Sequence, residues 1–373
     1  MNRIVTIVTA TTMMGASLAL AQPPAAKPES VADRLKDLSE QYASKFKAVM
    51  TVAQAARTPE ARQRVLDEEI PRLQVFGAKA VELAKSAPAD PVSLEAVAWT
   101  FENGFKLDAP AAESAVKIVL DHHLGGDAYL LAQVCAGLES YKGPGTAAER
   151  GLRGVMDKCK HREVQGFAAY FLASRLRGQA DSGGDAKDAV ALYERVVRDF
   201  SDLKVDQNTT LDVYAKRGLF ELNNLMVGKT APEPPAGSVD LAGKPARLLD
   251  YRGKVVVLDF WRVDCLPCRK LIPHEKALVT KYAGRPFTFI GVNADVERAE
   301  AEQFLKDQPL PWVQWWGGPE GGMARTWNMS PFPTMLVLDA NGVIRMKFRG
   351  GEFKPDDIDA AVEKLVREAE AKK

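Results

Sequence analysis

From Val31 to about Val227 the apolar positions recur at three- and four-residue spacing within Ala-rich segments, the period of amphipathic helices. Short clusters of Pro, Gly and Asp interrupt that period, and several interruptions carry helix-start chemistry. Thr58-Pro59 and Asp90-Pro91 each offer a side-chain acceptor at the N-cap and a proline at the first helical position, where its missing N–H costs nothing. Thr146 with Glu149 reads as a capping box, each side chain meeting an otherwise unpaired backbone donor. The expectation for 31–227 is an all-α array of antiparallel helical hairpins.

The pattern changes at Gly228-Lys229-Thr230-Ala231-Pro232-Glu233-Pro234-Pro235, which can neither continue a helix nor donate a full set of backbone hydrogen bonds. A domain boundary is expected there. Beyond it, Val255 to Phe260 is a continuous apolar run suited to a buried strand, Pro267 to Tyr282 a helix and Phe287 to Val292 a second buried strand, together a βαβ unit. Glu297 to Asp307 reads as a helix and Trp312 to Trp316 as a short strand. Met335 to Leu338 and Val343 to Phe348 flank Asp339-Ala340-Asn341-Gly342, a hairpin signal. In the last helix Ile358, Val362, Leu365 and Val366 form one apolar stripe, able to cover a mixed sheet. The whole is an α+β chain of two domains, 31–227 and 228–373.

Residues 1–21 pair Arg3 with a nearly uncharged stretch from Ile4 to Leu20 and a small-x-small site at Ala19-Leu20-Ala21. That is the pattern of a cleaved export signal, followed by a Pro- and Ala-rich lead-in over 22–30. A periplasmic or otherwise exported protein is expected, with membrane contact only if the signal stays uncleaved. Across the 373 residues, 50 Lys plus Arg against 49 Asp plus Glu leave no global field to gather nucleic acid or anionic lipid. With 46% hydrophobic and 27% charged residues, the chain can bury ordinary globular cores.

The most informative stretch is Phe260-Trp261-Arg262-Val263-Asp264-Cys265-Leu266-Pro267-Cys268-Arg269, directly after a buried strand and opening a helix. A cysteine at a helix N-terminus faces unpaired N–H groups and the positive end of the helix dipole, which favour the thiolate. A second cysteine three residues on lies one turn deeper on the same side, within reach of the first sulfur. Reversible disulfide exchange follows. A lone CxxC also fits half a zinc site or two unrelated cysteines, so its setting between strand and helix carries the weight.

These residues resemble the thioredoxin superfamily, and more closely its exported TlpA-like branch. The likeness runs from about Val227 to the C-terminus and includes the Gly-Lys-x-Ala-Pro entry, the Val-Val-Leu-Asp-Phe-Trp strand, CxxC, the Gly-Val-Asn strand and Phe332-Pro333-Thr334. It implies a thioredoxin-like α/β sandwich acting as a thiol-disulfide oxidoreductase on protein disulfides or dithiols, without a cofactor or metal, and with an electron donor left unidentified. Cys265 would be the nucleophile and Cys268 the resolving thiol. Asp259 matches the family's buried carboxylate, whose burial should raise its pKa and let it exchange a proton with Cys268; otherwise it is a surface-directed strand-end residue. Pro333 matches the family's cis-proline, with the backbone of Phe332 before it pairing with substrate. Trp261 is either core packing or a wall of the substrate site.

Two positions depart from the family. Asp264 stands where Trp is usual, placing a carboxylate near the thiolate, and Gly291 stands where thioredoxin has a lysine near the buried acid. Both favour a reductant over a strong oxidant, since oxidising members owe their potential to a stable reduced thiolate.

The remaining candidates are weaker. Ala189 to Phe200 resembles one helix of a tetratricopeptide unit, without a regular period. Cys135 and Cys159 read as small core residues, about eight residues out of register for a bridge. His122, His123 and His161 have no metal-site spacing and are expected to be solvated or capping. His274 lies either near the site or on the surface, and Trp312, Trp315 and Trp316 either pack the sheet or line a groove. Arg269 after the second cysteine excludes a c-type haem site, and Arg262 three residues before Cys265 disfavours a peroxiredoxin. The competing functions are a helical protein-binding scaffold with a non-catalytic thioredoxin-like domain, and copper handling through CxxC.

Overall fold

The computed structural model describes residues 30–143, 146–181, 184–318, 322–350 and 353–371. The expected export signal and all of the lead-in except Ser30 lie outside them. The N-terminal part contains helices α1 (Val31–Ala55), α2 (Pro59–Glu69), α3 (Val75–Ser86), α4 (Pro91–Glu102) and α5 (Ala109–Ile118). It continues through α6 (Ala128–Ser140), α7 (Ala147–Lys158), α8 (Arg162–Asp181), α9 (Lys187–Asp199) and α10 (Leu211–Asn224). Thr58 and Asp90 cap α2 and α4 by accepting from the N–H groups of Ala61 and Val92. The Thr146–Glu149 capping box does not form: Thr146, at φ −102° and ψ 6°, leaves the extended backbone a capping side chain needs, and Glu149 accepts from Gln179 Nε2 instead. Neighbouring helices pack through a large apolar core that runs from Leu35 to Leu222, with a smaller cluster of Val49, Leu73, Phe76 and Phe105 beside it.

The C-terminal part contains β1 (Val255–Trp261), α11 (Leu266–Lys281), β2 (Phe287–Asn293), α12 (Arg298–Asp307), β3 (Val313–Trp316), α13 (Met323–Thr326), β4 (Thr334–Leu338), β5 (Ile344–Arg349) and α14 (Pro355–Glu370). The strands make one mixed sheet in the order β3-β2-β1-β4-β5, with β4 antiparallel to both neighbours. Every residue of β1 is buried, as its uninterrupted apolar pattern requires of a central strand covered on both faces. Val255 and Val257 pack under α11 and α14, where the Ile358, Val362, Leu365 and Val366 stripe lies. Val256, Leu258 and Phe260 face Met323, Trp327 and Leu225, the residue that ends α10. The helical part therefore contributes directly to covering the second face of the sheet. The β4–β5 turn is held by Asp339, whose side chain accepts from the N–H groups of Asn341 and Val343, with Gly342 at φ +73°.

Aromatic residues pack the sheet on both faces: Trp312 lies edge-on to Phe289, and Trp315 is buried against Tyr251. Cys135 and Cys159 are free and buried, and burial pushes both thiols up, away from reactivity. His123 departs from the expectation of a solvated ring. It is buried, with Nε2 2.8 Å from the Pro88 carbonyl oxygen, and burial holds its imidazole below the usual range.

Candidate active site

Cys265 is the N-cap of α11 and Cys268 lies in its first turn, with Cα atoms 5.3 Å apart and the sulfurs joined in a disulfide. The Cys265 Sγ also accepts from the Cys268 N–H at 3.2 Å, so the sulfur sits among the unpaired donors of the helix start. Cys265 is partly exposed while Cys268 is buried, the asymmetry that separates an attacking sulfur from one that acts only inside the protein. The loop leading to Cys265 is pinned by Asp295, whose carboxylate accepts from the Val263 N–H at 3.1 Å and from Asn293 Nδ2 at 2.6 Å. Asp295 does not stand out in the sequence, because its partner Val263 is 32 residues away.

Behind the disulfide, Asp259 and Glu275 are both buried, and they line one small closed cavity together with Cys268, Trp261, Ile272, Leu310 and Trp312. Asp259 is therefore not a surface-directed strand end. Burial raises its carboxyl to about 8; burial, and then the Asp259 charge, hold Glu275 well above the usual carboxylate range. Glu275 was passed over in the sequence, although Cys268, Ile272, Glu275 and Leu278 form the buried stripe of α11 and an acid in such a stripe is a signal in itself.

Thr334 pairs with Phe260, and so the segment before it lies beside the end of β1 that leads into the cysteine loop. The Phe332–Pro333 peptide is cis, and so is Ser330–Pro331, which the sequence did not single out. Phe332 is half-buried and borders a cleft of about 410 Å³ between the two halves of the chain, walled on the helical side by Tyr170, Tyr193 and Tyr214.

This arrangement has relatives. The family model described as Redoxin matches residues 226–365. Thiol-disulfide oxidoreductase ResA of Bacillus cereus is 31% identical over 140 residues, covering 37% of this chain and 79% of that one. The chain belongs to the thioredoxin superfamily. The ResA protein of Geobacillus kaustophilus is likewise 31% identical, over 39% of this chain and 81% of its own. A solved structure of a putative thiol:disulfide interchange protein DsbE from Chlorobium tepidum aligns at 29% identity over 39% of this chain and 99% of that one, with a TM-score of 0.34. The C-terminal half is accordingly a thioredoxin-like thiol-disulfide oxidoreductase, and protein thiols are the substrates that family implies.

Within this thioredoxin-like frame, one expectation changes and two open alternatives narrow. Asp264 does not face the sulfurs as a bare charge, because Arg262 Nη2 lies 2.6 Å from its carboxylate. Trp261 is packing and not a substrate wall: it is buried against Phe304, and its Nε1 donates to Gln314 Oε1 at 3.0 Å. His274 turns away to α14, with Nε2 3.2 Å from Asp359 Oδ1. The Gln314 side chain fills the space over Gly291 where a Cβ would stand. No described helix is long and apolar enough to cross a membrane, and no group of three His, Cys, Asp or Glu side chains among the described residues is placed to hold a metal ion.

Proposed function

We propose that this oxidoreductase reduces disulfides in exported proteins. Cys265 attacks the substrate, Cys268 resolves the mixed disulfide and Asp259 exchanges the Cys268 proton. The observation carrying the assignment is the sulfur at the mouth of α11 with its bonded partner buried one turn behind, next to a buried acid whose Oδ1 has no hydrogen-bond partner. Phe332 and Pro333, just before β4 and beside that mouth, take the backbone of the substrate. Export rests on the charge and apolarity pattern of residues 1–21, and the two domains are 31–227 and 228–373.

The reducing direction is supported by what surrounds Cys268. Two carboxyl groups share its cavity, and no cation is among the described residues that line it. Such surroundings give a Cys268 thiolate none of the stabilisation that makes a strong oxidant. Asp264, paired with Arg262, adds little to that argument. Equilibration with glutathione should place the couple far from about −120 mV and towards the thioredoxin value of about −270 mV; a value near the former overturns the direction.

The test of the roles is a Cys268→Ser variant, which should accumulate mixed disulfides on Cys265 with identifiable proteins. Capture of none, by a Cys265 that still reacts with small disulfides, would favour the second reading, a helical binding scaffold. The cleft between the Tyr170, Tyr193 and Tyr214 wall and Phe332 supports a role for the helical half in holding a substrate segment next to the sulfurs.

A further inference from the structure

We propose that Glu275 is the second member of an acid pair with Asp259, the two holding one negative charge and no more beside Cys268 while it resolves the mixed disulfide. This rests on the roles proposed above for the two cysteines. Glu275 lies two helical turns from Cys268 on the buried face of α11, and Asp259 projects from β1 into the same cavity, which has no room for a water molecule. Asp259 Oδ1 and Glu275 Oε1 are both buried without a hydrogen-bond partner.

No cation is among the described residues that line the cavity. The loop before β3 brings only Leu310 and Trp312 to the cavity, and Gln314 on β3 is neutral. The acids that α14 directs at α11 are engaged elsewhere, Asp359 beside His274 and Glu363 with Lys281 and the Tyr282 hydroxyl. Arg269 stacks on Phe304 of α12. The first ionisation in this cavity pays only desolvation, but the second also meets a like charge across a dry gap, so the two carboxyls titrate as a unit in well-separated steps.

The chemistry then orders itself. Cys265 has already attacked a substrate disulfide, forming a mixed disulfide and releasing one substrate thiolate. Ionised Asp259 takes the proton of the Cys268 thiol, with protonated Glu275 beside it. The Cys268 thiolate attacks Cys265 Sγ, the bond from Cys265 to the substrate sulfur breaks, and the second substrate thiolate leaves with that electron pair and is protonated by solvent. Two electrons pass from the cysteine pair to the substrate. Once Glu275 also ionises, a second negative charge opposes the thiolate and the step slows.

The experiment mixes reduced protein with 5,5′-dithiobis(2-nitrobenzoate) and follows the second thionitrobenzoate released, which reports attack by Cys268, across pH. The wild type should show a rise and then an alkaline fall. Glu275→Gln should keep the rise and lose the fall, whereas Asp259→Asn should lose the rise. A Glu275→Gln profile that superimposes on the wild type, or that lacks the rise, overturns the acid pair while leaving the cysteine roles intact. Reduced wild type that releases no second thiolate at any pH overturns both. Should the Gln variant not fold, infrared difference spectra of the wild type decide: two protonated carboxyls lost in sequence on raising the pH support the pair, and one alone overturns it.

Discussion

Two glutamates occupy buried stripes of their helices, and their surroundings differ completely. Glu221, among Leu211, Ala215, Gly218 and Leu222 on α10, meets Arg177 at 3.0 Å through both carboxylate oxygens, Asn328 Nδ2 at 2.6 Å, and Lys347 and Arg349 from β5. Glu275 on α11 shares a small closed cavity with Asp259 and Cys268. Burial opposes ionisation at both, but at Glu221 the charges of Arg177, Arg349 and Lys347 outweigh it and hold the carboxyl at about 2. A partnered acid fastens the helical half to the sheet. Glu275, whose Oε1 has no hydrogen-bond partner, is buried at a cost in stability.

The largest expected effect is at Glu221. Its removal leaves Arg177 and Lys347, whose side chains are 13% and 1% exposed, to share with Arg349 the one carboxylate of Asp181 among the described ion pairs. Glu221→Ala should cost about 3–5 kcal/mol, the usual penalty for breaking a buried charge pair, read as a lower urea midpoint. A loss below about 1 kcal/mol would place Glu221 with the surface pairs and end the contrast.

Acid titration sharpens the same point. Because the folded carboxyl of Glu221 titrates near 2 and its reference value is 4.5, its stabilisation is complete above 4.5 and is lost as the pH falls through about 2. The loss should amount to roughly 3 kcal/mol, at about 1.4 kcal/mol per pH unit of displacement. It should be missing from the acid unfolding curve of Glu221→Ala.

Asp259 has the opposite sign. Its folded carboxyl is raised from 3.8 to about 8, so the native state binds the proton more tightly and stability declines as the pH rises between those values. Asp259→Asn, with the disulfide intact, should therefore be more stable than the wild type above pH 8, by at least about 2 kcal/mol given that desolvation alone sets the shift. Equal thermal midpoints there would mean that the buried carboxyl has a partner after all.

Much of the C-terminal fold was legible from local pattern. The continuous apolar run of β1, the hairpin signal at 339–342 and the stripe of α14 each fall within a residue or two of the observed elements, since burial on both faces, a turn and an amphipathic helix leave local signatures. The cysteine pair was legible for the same reason: strand, turn and helix start are contiguous in the chain. What stayed hidden depends on distant partners. Glu221 finds Lys347 and Arg349 across more than 120 residues, and Asp295 finds Val263 across 32. The setting of Asp264, and the choice between packing and a wall for Trp261, stay hidden because Arg262 and Gln314, which take up their polar groups, answer to geometry and not to spacing. The Thr146 cap failed on two backbone angles that its sequence does not encode.

The smallest expected effect separates neutral from charged burial in the row that contains Asp259. Asp259, Gly291 and Gln314 are register partners across β1, β2 and β3, and the Gln314 amide lies over Gly291 while its oxygen accepts from Trp261 Nε1. A Cβ at position 291 would stand 2.3 Å from Gln314 Oε1, so Gly291→Ala must displace the amide and give up that bond. The far end of a flexible side chain can move, which limits the cost to about 1 kcal/mol, the net worth of one neutral hydrogen bond. The accompanying sign should be a shifted indole N–H resonance for Trp261. An unshifted resonance with unchanged stability would mean that the amide tolerates the methyl in place, and that the space over Gly291 is less filled than its contacts require.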